Sequence, residues 1–426
     1  MGQRVLLSCY GLAWSTALPF LRLSKRLRTG MRQRLAPPDW LDAPVDVWIQ
    51  AASGGESYLA WEICKRLSEL DGTETYRVLC TTGTSQGMEI LEKALAWRRE
   101  SGHGPELVAR YLPFDKPGFM LRGLAQARPK VVVLIETELW PGLLSACALS
   151  GVPVVVVNGR MTERSCRGYG RIRRFFRNVS PERILAISRE DADRFGRVFG
   201  QERSSVMHNI KFDRVAAEAT VESGEGLLAG IVPEGAEFVV LGSVREPEEP
   251  DIEILLDALR RHRPQANIGL FPRHMHRVAH WEQALERGGF AWQKRSQVRE
   301  PASPGTVILW DTFGELGAAY GLARAAFVGG SLRDLGGQNF LEPLSHGVAP
   351  VIGPSWSNFA WVGQEMVDQG LLRVTQDAAE AAQALLQGLE QPESKESVRA
   401  RFTRFLEPRR GGGAQAAHLI TGYLQP

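Results

Sequence analysis

Several signatures are missing from this 426-residue sequence, and each absence removes a class of function. The five cysteines (Cys9, Cys64, Cys80, Cys147 and Cys166) form no CxxC pair and are odd in number. A disulfide framework or a structural zinc site is therefore disfavoured, and a reducing compartment fits. No GxxxxGK[ST] is present, so a P-loop is not supported; no GxGxxG follows an early strand, so a dinucleotide dehydrogenase is disfavoured. Net charge is only +3, too little to argue for nucleic acid as a partner. A composition of 44% hydrophobic and 23% charged residues excludes both a disordered chain and a polytopic membrane protein.

The charge that is present is unevenly placed. Arg22, Lys25, Arg26, Arg28, Arg32 and Arg34 form a basic run that meets no acid before Asp39. Arg160, Arg164, Arg167, Arg171, Arg173, Arg174 and Arg177 form a second, relieved by Glu163 alone. Each reads either as a solvated face or as a contact for an anionic membrane surface or a phosphorylated acceptor. Residues 5–21 are uncharged and mostly apolar. As a helix they would span roughly 26 Å, slightly short of the ~30 Å hydrocarbon core. A signal peptide fits poorly, because no small-residue cleavage site follows and the basic cluster lies on the wrong side. Positive charge after an apolar stretch keeps the following chain cytoplasmic. The expectation is a shallow or spanning membrane anchor with its basic flank over residues 1–34; a buried docking helix is the alternative.

Length favours two domains, since one domain takes about 100–200 residues. Beyond residue 44, strands alternate with helices. Strands are expected at 45–49, 77–81, 130–135, 152–157 and 184–187, with a helix at 57–70 after the first. A second series has strands at 237–241, 267–271, 306–311, 325–328 and 349–352, with a helix at 251–261. Short β-branched apolar runs suit parallel strands covered on both faces. The pattern predicts an α/β chain of two Rossmann-like, doubly wound domains, at 35–212 and 213–406, with residues 407–426 ending in a helix at 414–424. Two such domains facing across a cleft would place function in the loops just after strands.

Those loops carry the chemistry. Gly329-Gly330-Ser331 ends a strand, and Gly336-Gly337-Gln338-Asn339-Phe340-Leu341-Glu342-Pro343 leads into a helix expected near Asn339. Free N–H groups of this glycine loop and a helix dipole would favour phosphate, and Glu342, one turn into that helix, would accept from a ribose diol. Steric need for glycine in a tight turn is the plainer reading. Phe271-Pro272-Arg273-His274 offers a planar donor fork for phosphate or carboxylate, or a structural ion pair. His274 and His276 lack a third ligand at suitable spacing, so no metal site is expected. Ser53-Gly54-Gly55-Glu56 puts a carboxylate at a βα turn, placed either to take a proton from a hydroxyl or simply to favour the helix N-terminus. Glu136-Thr137-Glu138-Leu139-Trp140-Pro141 sets two acids at a strand end next to a Trp-Pro turn. One could orient an acceptor and the other cap the next helix. Asn158-Gly159-Arg160 and Lys211-Phe212-Asp213 read as further cleft-lining loops, with structural roles equally open.

Taken in order, these segments resemble the Kdo transferase family, which adds 3-deoxy-D-manno-octulosonic acid to lipid A precursors. The residues that carry the resemblance are SGGE at 53–56, ETELWP at 136–141, VNGR at 157–160, NIKFD at 209–213, FPRH at 271–274, GGS at 329–331 and GGQNFLEP at 336–343. The resemblance implies a GT-B fold, a CMP-Kdo donor, a lipid A precursor as acceptor, and an inverting, metal-independent reaction that calls for no cofactor. It implies Glu56 as general base, with Glu136, Glu138 and Arg160 toward the acceptor or sugar and Lys211 near the donor. Ser243, Arg273, His274, Gly330, Ser331, Asn339 and Glu342 would form the CMP site. It also implies an N-terminal anchor holding the chain, through inner-membrane lipids, at the cytoplasmic face of the bacterial inner membrane, with no nucleic acid involved.

The sequence departs from the family pattern at four places. Gly54 stands where Val is usual and should loosen the catalytic turn. Gln338 replaces His, Val244 replaces Thr in a segment where Arg245 keeps a cationic donor, and His208 stands where Gly is common. Two rival readings stay open: another GT-B nucleotide-sugar enzyme, such as an epimerase or UDP-sugar transferase, or a non-catalytic protein that binds lipid A precursors. The number of Kdo residues transferred, the acceptor's acylation and the oligomeric state are not written in these motifs.

Overall fold

A computed structural model describes residues 2–219, 228, 230–233 and 235–425. The parts of the expected ranges 1–34, 213–406 and 407–426 that fall on residues 1, 220–227, 229, 234 and 426 lie outside the described residues. The chain forms two units, Met1–Arg214 with Arg409–Pro426, and Val215–Pro408. Among the described residues each unit is built on one seven-stranded sheet, and all the strand pairs are parallel.

In the first unit the strands are β1 (Val47–Ala51), β2 (Arg77–Thr82), β3 (Glu106–Tyr111), β4 (Val131–Ile135), β5 (Val154–Gly159), β6 (Arg183–Ala186) and β7 (Ser204–Val206). They lie in the order β3-β2-β1-β4-β5-β6-β7. The sheet is apolar on both faces because period-two alternation sends each strand's side chains both ways. Val47, Ile49, Val131, Val133, Ile135, Val155 and Val157 fill one side. Trp48, Leu79, Val132, Leu134 and Val156 fill the other. The closing helix Gly412–Thr421 packs Ala416, Ala417 and Ile420 into the first of these layers. It is fastened there by Asp213, whose carboxylate accepts from the N–H groups of Gly411 and Gly413, both at 2.6 Å.

The second unit has β8 (Phe238–Val244), β9 (Asn267–Pro272), β10 (Trp292–Lys294), β11 (Val307–Leu309), β12 (Ala325–Val328), β13 (Val351–Ile352) and β14 (Arg373–Val374). Their order is β10-β11-β9-β8-β12-β13-β14. The winding direction reverses between β1 and β4 in the first sheet and between β8 and β12 in the second. A crevice opens at the carboxyl ends of the strands where the order reverses, and ligands of open α/β sheets bind there.

The N-terminal stretch is one helix, Gly2–Leu23, with Pro19 inside it. It docks on the first unit. Tyr10 donates to Asp115 at 2.8 Å, the Trp14 and Phe114 rings lie 5.6 Å apart, and Leu18 is buried. Leu12, Phe20 and Leu23 stay largely exposed. No helix among the described residues is long and apolar enough to cross a membrane, so the spanning form of the expected anchor has no support. The basic flank is also not uniformly outward: Arg34 is buried, donates to the Gly83 carbonyl at 2.9 Å and lies over the Tyr111 ring.

Candidate active site

The end of β1 runs into the helix Gly54–Ser68, with Ser53 as its N-cap. The Ser53 hydroxyl oxygen accepts from the Glu56 N–H at 3.3 Å, and the Glu56 carboxylate accepts from the Ala52 N–H at 2.5 Å and the Ser53 hydroxyl at 3.2 Å. This reciprocal cap satisfies early helix donors and fixes the acid beside the first sheet's reversal point. At Gly54 a Cβ would stand 3.0–3.2 Å from the side chains of Gln86 and Ile90, so a larger residue there would require both to shift.

Across the reversal, β4 ends at Ile135 and Glu136 takes a positive φ of 57°. A non-glycine residue in that region costs ~1–2 kcal/mol. The chain thus turns at once, and the two acids do not lie on one extended segment. Glu136 pairs with Lys211 at 2.7 Å. Glu138 accepts from Trp140 Nε1 at 2.5 Å and Gln50 Nε2 at 3.2 Å. Neither acid caps the helix Pro141–Ser150; Asp115 does, accepting from the N–H groups of Gly142 and Leu143 at 2.8 and 2.7 Å. The Arg160 side chain is exposed, and it is the Arg160 carbonyl that accepts from Thr137, tying the two strand-end loops together.

Three carboxylates therefore share this corner. Burial pushes the Glu56 carboxyl up to about 7, and the charges of Glu138 and then Glu136 add to the rise, outweighing the donors from Ala52 and Ser53. Burial also raises Glu138, against its bonds from Trp140 and Gln50. A carboxyl that exchanges its proton near neutrality, at a strand end, is suited to general base work.

The corresponding corner of the second unit is built differently. Ser243, at the end of β8, again has positive φ, 55°. The glycine loop after β12 was expected to present free amides, and it does not. The Gly330 N–H donates to Glu248 Oε1, and those of Ser331 and Leu332 donate to Oε2 at 3.2 and 3.4 Å. The Arg245 N–H adds a fourth bond at 2.9 Å. The Ser331 hydroxyl is likewise engaged, donating to Val328 O and accepting from Gly353 N. The buried Glu248 carboxyl, raised by burial against these bonds, already fills this nest, so Gly330 and Ser331 shape the loop rather than offer donors.

Arg273 and His274 follow β9, both exposed, and the His274 and His276 rings stack 5.6 Å apart. The helix near Asn339 begins later than expected, at Leu341, so Glu342 is its second residue rather than a turn inside. Asn339 Oδ1 accepts from the Leu341 N–H at 3.2 Å. Burial and the nearby Glu342 charge hold the Tyr320 phenol protonated. No group of three acid, histidine or cysteine side chains among the described residues is placed to hold a metal ion.

Sequence reasoning missed Gln50, Thr81, Asp115 and Glu248. Gln50 had a signal, a lone polar residue inside the otherwise apolar strand VWIQA; Thr81, next to Thr82 in RVLCTT, had none. Glu248 stands in the same segment as Val244 and Arg245, which was set against the family pattern, but its role was not legible there because its partners lie some eighty residues away in the chain.

Residues 22–214 match the family described as 3-Deoxy-D-manno-octulosonic-acid transferase (kdotransferase). A 3-deoxy-D-manno-octulosonic acid transferase of Bordetella pertussis is 32% identical over 367 residues, 85% of this chain and 83% of that protein. One of Haemophilus influenzae is 29% identical over 388 residues, 90% of this chain and 88% of its own length. Among solved structures, a UDP-GlcNAc 2-epimerase from Neisseria meningitidis bound to UDP-GlcNAc matches with TM-score 0.56 at 12% identity, over 89% of this chain and 99% of that one. At that identity the likeness is one of fold alone.

Proposed function

The chain belongs to the 3-deoxy-D-manno-octulosonic acid (Kdo) transferase family and is a glycosyltransferase, and from that premise we propose that it moves Kdo from CMP-Kdo to a lipid A precursor in lipopolysaccharide core assembly. The proposed reaction is inverting, with Glu56 as general base, and uses neither metal nor cofactor. The observation that carries this reading is Glu56 at the first sheet's reversal point, its carboxyl raised to about 7 by burial and neighbouring acids. A base whose pKa lies near the working pH takes the proton of an attacking hydroxyl most effectively. Glu138 and the Glu136–Lys211 pair line the same corner and would orient acceptor or sugar, with Arg160 beside them.

The second unit would take the donor in a GT-B arrangement. Departure of CMP builds charge on a phosphate, and fixed donors stabilise it. Arg273 supplies a planar fork and His274 a second donor, while Ser243, Asn339 and Glu342 would meet the nucleoside. Gly330 and Ser331 contribute the loop's shape.

Membrane placement belongs to the same proposal. The helix Gly2–Leu23 would lie on the cytoplasmic face of the inner membrane with Leu12, Phe20 and Leu23 among the lipids. The exposed arginines between Arg160 and Arg177 would face the phosphates of the acceptor. Nucleic acid has no part in it.

The test is product analysis by mass spectrometry with CMP-Kdo and a tetra-acylated lipid A precursor, in EDTA. An acceptor heavier by whole Kdo units is expected. No product under any condition overturns the reading, and product only with added Mg²⁺ overturns its metal-free part. In calorimetry CMP should bind and UDP should not.

A further inference from the structure

Gln50 is fully buried in the central strand β1 among Val47, Trp48, Ile49 and Ala51. A buried amide there is unfavourable unless its hydrogen bonds are made. They are made in one direction. Trp48 Nε1, which can only donate, gives its proton to Thr81 Oγ1 at 2.7 Å. Thr81, the cross-strand neighbour of Gln50, then donates its own proton to Gln50 Oε1 at 2.5 Å. That leaves the Gln50 NH₂ facing Glu138 Oε2 at 3.2 Å. The flipped amide would set oxygen against carboxylate oxygen, and would leave the Thr81 proton only the Ile49 carbonyl at 3.4 Å. The Trp48 indole, first donor in this series of hydrogen bonds, thus fixes which end of the amide Glu138 sees.

We propose that Gln50, ordered by Thr81 and Trp48, is a positioning residue for the transfer: it holds Glu138 as an anion facing Glu56. This rests on the reading of Glu56 as the base. The groups that face Glu138 electrostatically are Glu56, Glu136 and Asp115 on the acidic side, with the Tyr169 phenol also sensing its charge; Lys211 neutralises Glu136. Burial raises Glu138, and Trp140 and Gln50 are the two donors that oppose the rise and favour its anion. The proton that the cluster takes up near neutrality goes instead to Glu56. Without the Gln50 donor the order reverses, Glu138 takes the proton first, and Glu56 becomes the weaker base.

The experiment titrates full-length protein carrying ¹³C-carboxyl glutamate, with the Glu56 and Glu138 signals assigned from Glu56→Gln and Glu138→Gln. It is repeated in Gln50→Leu, Thr81→Val and Thr81→Ser, with thermal midpoints as the folding control. In the parent the Glu56 signal should move near neutrality and Glu138 below it. In Gln50→Leu and Thr81→Val the neutral-range midpoint should pass to the Glu138 signal, and the acid limb of kcat/KM should fall by half a pH unit or more. Thr81→Ser should restore the parent pattern. Unmoved midpoints in a folded Thr81→Val or Gln50→Leu protein overturn the proposal, and Thr81→Val, the nearly isosteric change, decides if Gln50→Leu does not fold. Full activity of Glu56→Gln would instead overturn the base assignment, while the titration would still report on the hydrogen-bond chain.

Discussion

The two sheets reverse direction at equivalent places and set acids there to opposite ends. In the first unit Glu56, Glu136 and Glu138 crowd together with few donors, so their negative charges disfavour one another. In the second unit one acid, Glu248, is wholly buried yet receives four backbone N–H groups from Arg245, Gly330, Ser331 and Leu332. Burial raises both Glu56 and Glu248, so it is donor supply rather than proton affinity that separates them. A carboxyl saturated with amides has nothing left to offer a substrate and serves as a staple; one held by fewer donors keeps acceptor capacity for a substrate proton. Glycine-rich loops are ambiguous in sequence for the same reason, since an amide nest can be filled by a ligand or by the protein's own carboxylate.

The comparison makes its largest prediction at Glu56. Glu56→Gln keeps the shape and removes the base, so transfer should fall by roughly 10²–10⁴-fold while CMP affinity stays within a few-fold. Product formation and calorimetry on one preparation check both halves; a variant with near-parent turnover would erase the functional side of the contrast. The next effect is on stability. Glu248→Gln replaces two acceptor oxygens by one and turns an NH₂ toward buried N–H groups. It should lower unfolding free energy by roughly 2–5 kcal/mol, read from urea denaturation. A loss as small as that of a surface substitution would mean the staple is decorative.

Much of this was legible beforehand, and the boundary of legibility is physical. The interior strands were anticipated from β-branched apolar runs, β12 to the residue. The strands not anticipated, β3, β7, β10 and β14, are the four edges of the two sheets. An edge strand is covered less and carries polar residues such as Glu106, Ser204 and Lys294, so its hydrophobic pattern fades. At the site, Glu56, Glu136 and Glu138 could be found because each sits in a local motif. The amide occupancy of Gly330 and the capping of Gly142 by Asp115 could not, because both depend on contacts between distant segments.

A subtler consequence of the Glu56 environment is that it destabilises the fold. Its carboxyl is pushed up to about 7 in the native state from the ordinary 4.5, so the folded chain holds more protons between those pH values. Stability must then fall as pH rises through that window, and the full penalty is present above it. Glu56→Gln removes the term. The variant should match the parent near pH 4 and melt at a higher temperature at pH 8, so that activity is lost as stability is gained. Equal melting curves at both pH values would show that the crowding is relieved in solution.

Asp115 supplies the intermediate case and the smallest effect. It is buried, with three donors: Tyr10 and the N–H groups of Gly142 and Leu143. Burial nevertheless pushes its carboxyl up to about 6, so three donors offset desolvation only in part. Tyr10→Phe deletes one donor without opening a cavity and should cost about 1 kcal/mol. Because the native pKa already lies above the unfolded one, losing a donor to the anion raises it further. The loss should therefore be larger at pH 8, where the group must ionise, than at pH 4.5, where the folded state keeps it protonated. Thermal midpoints of parent and variant at the two pH values measure the difference. A loss independent of pH would assign the Tyr10 contact to helix docking alone and take Asp115 out of the series that runs from Glu56 to Glu248.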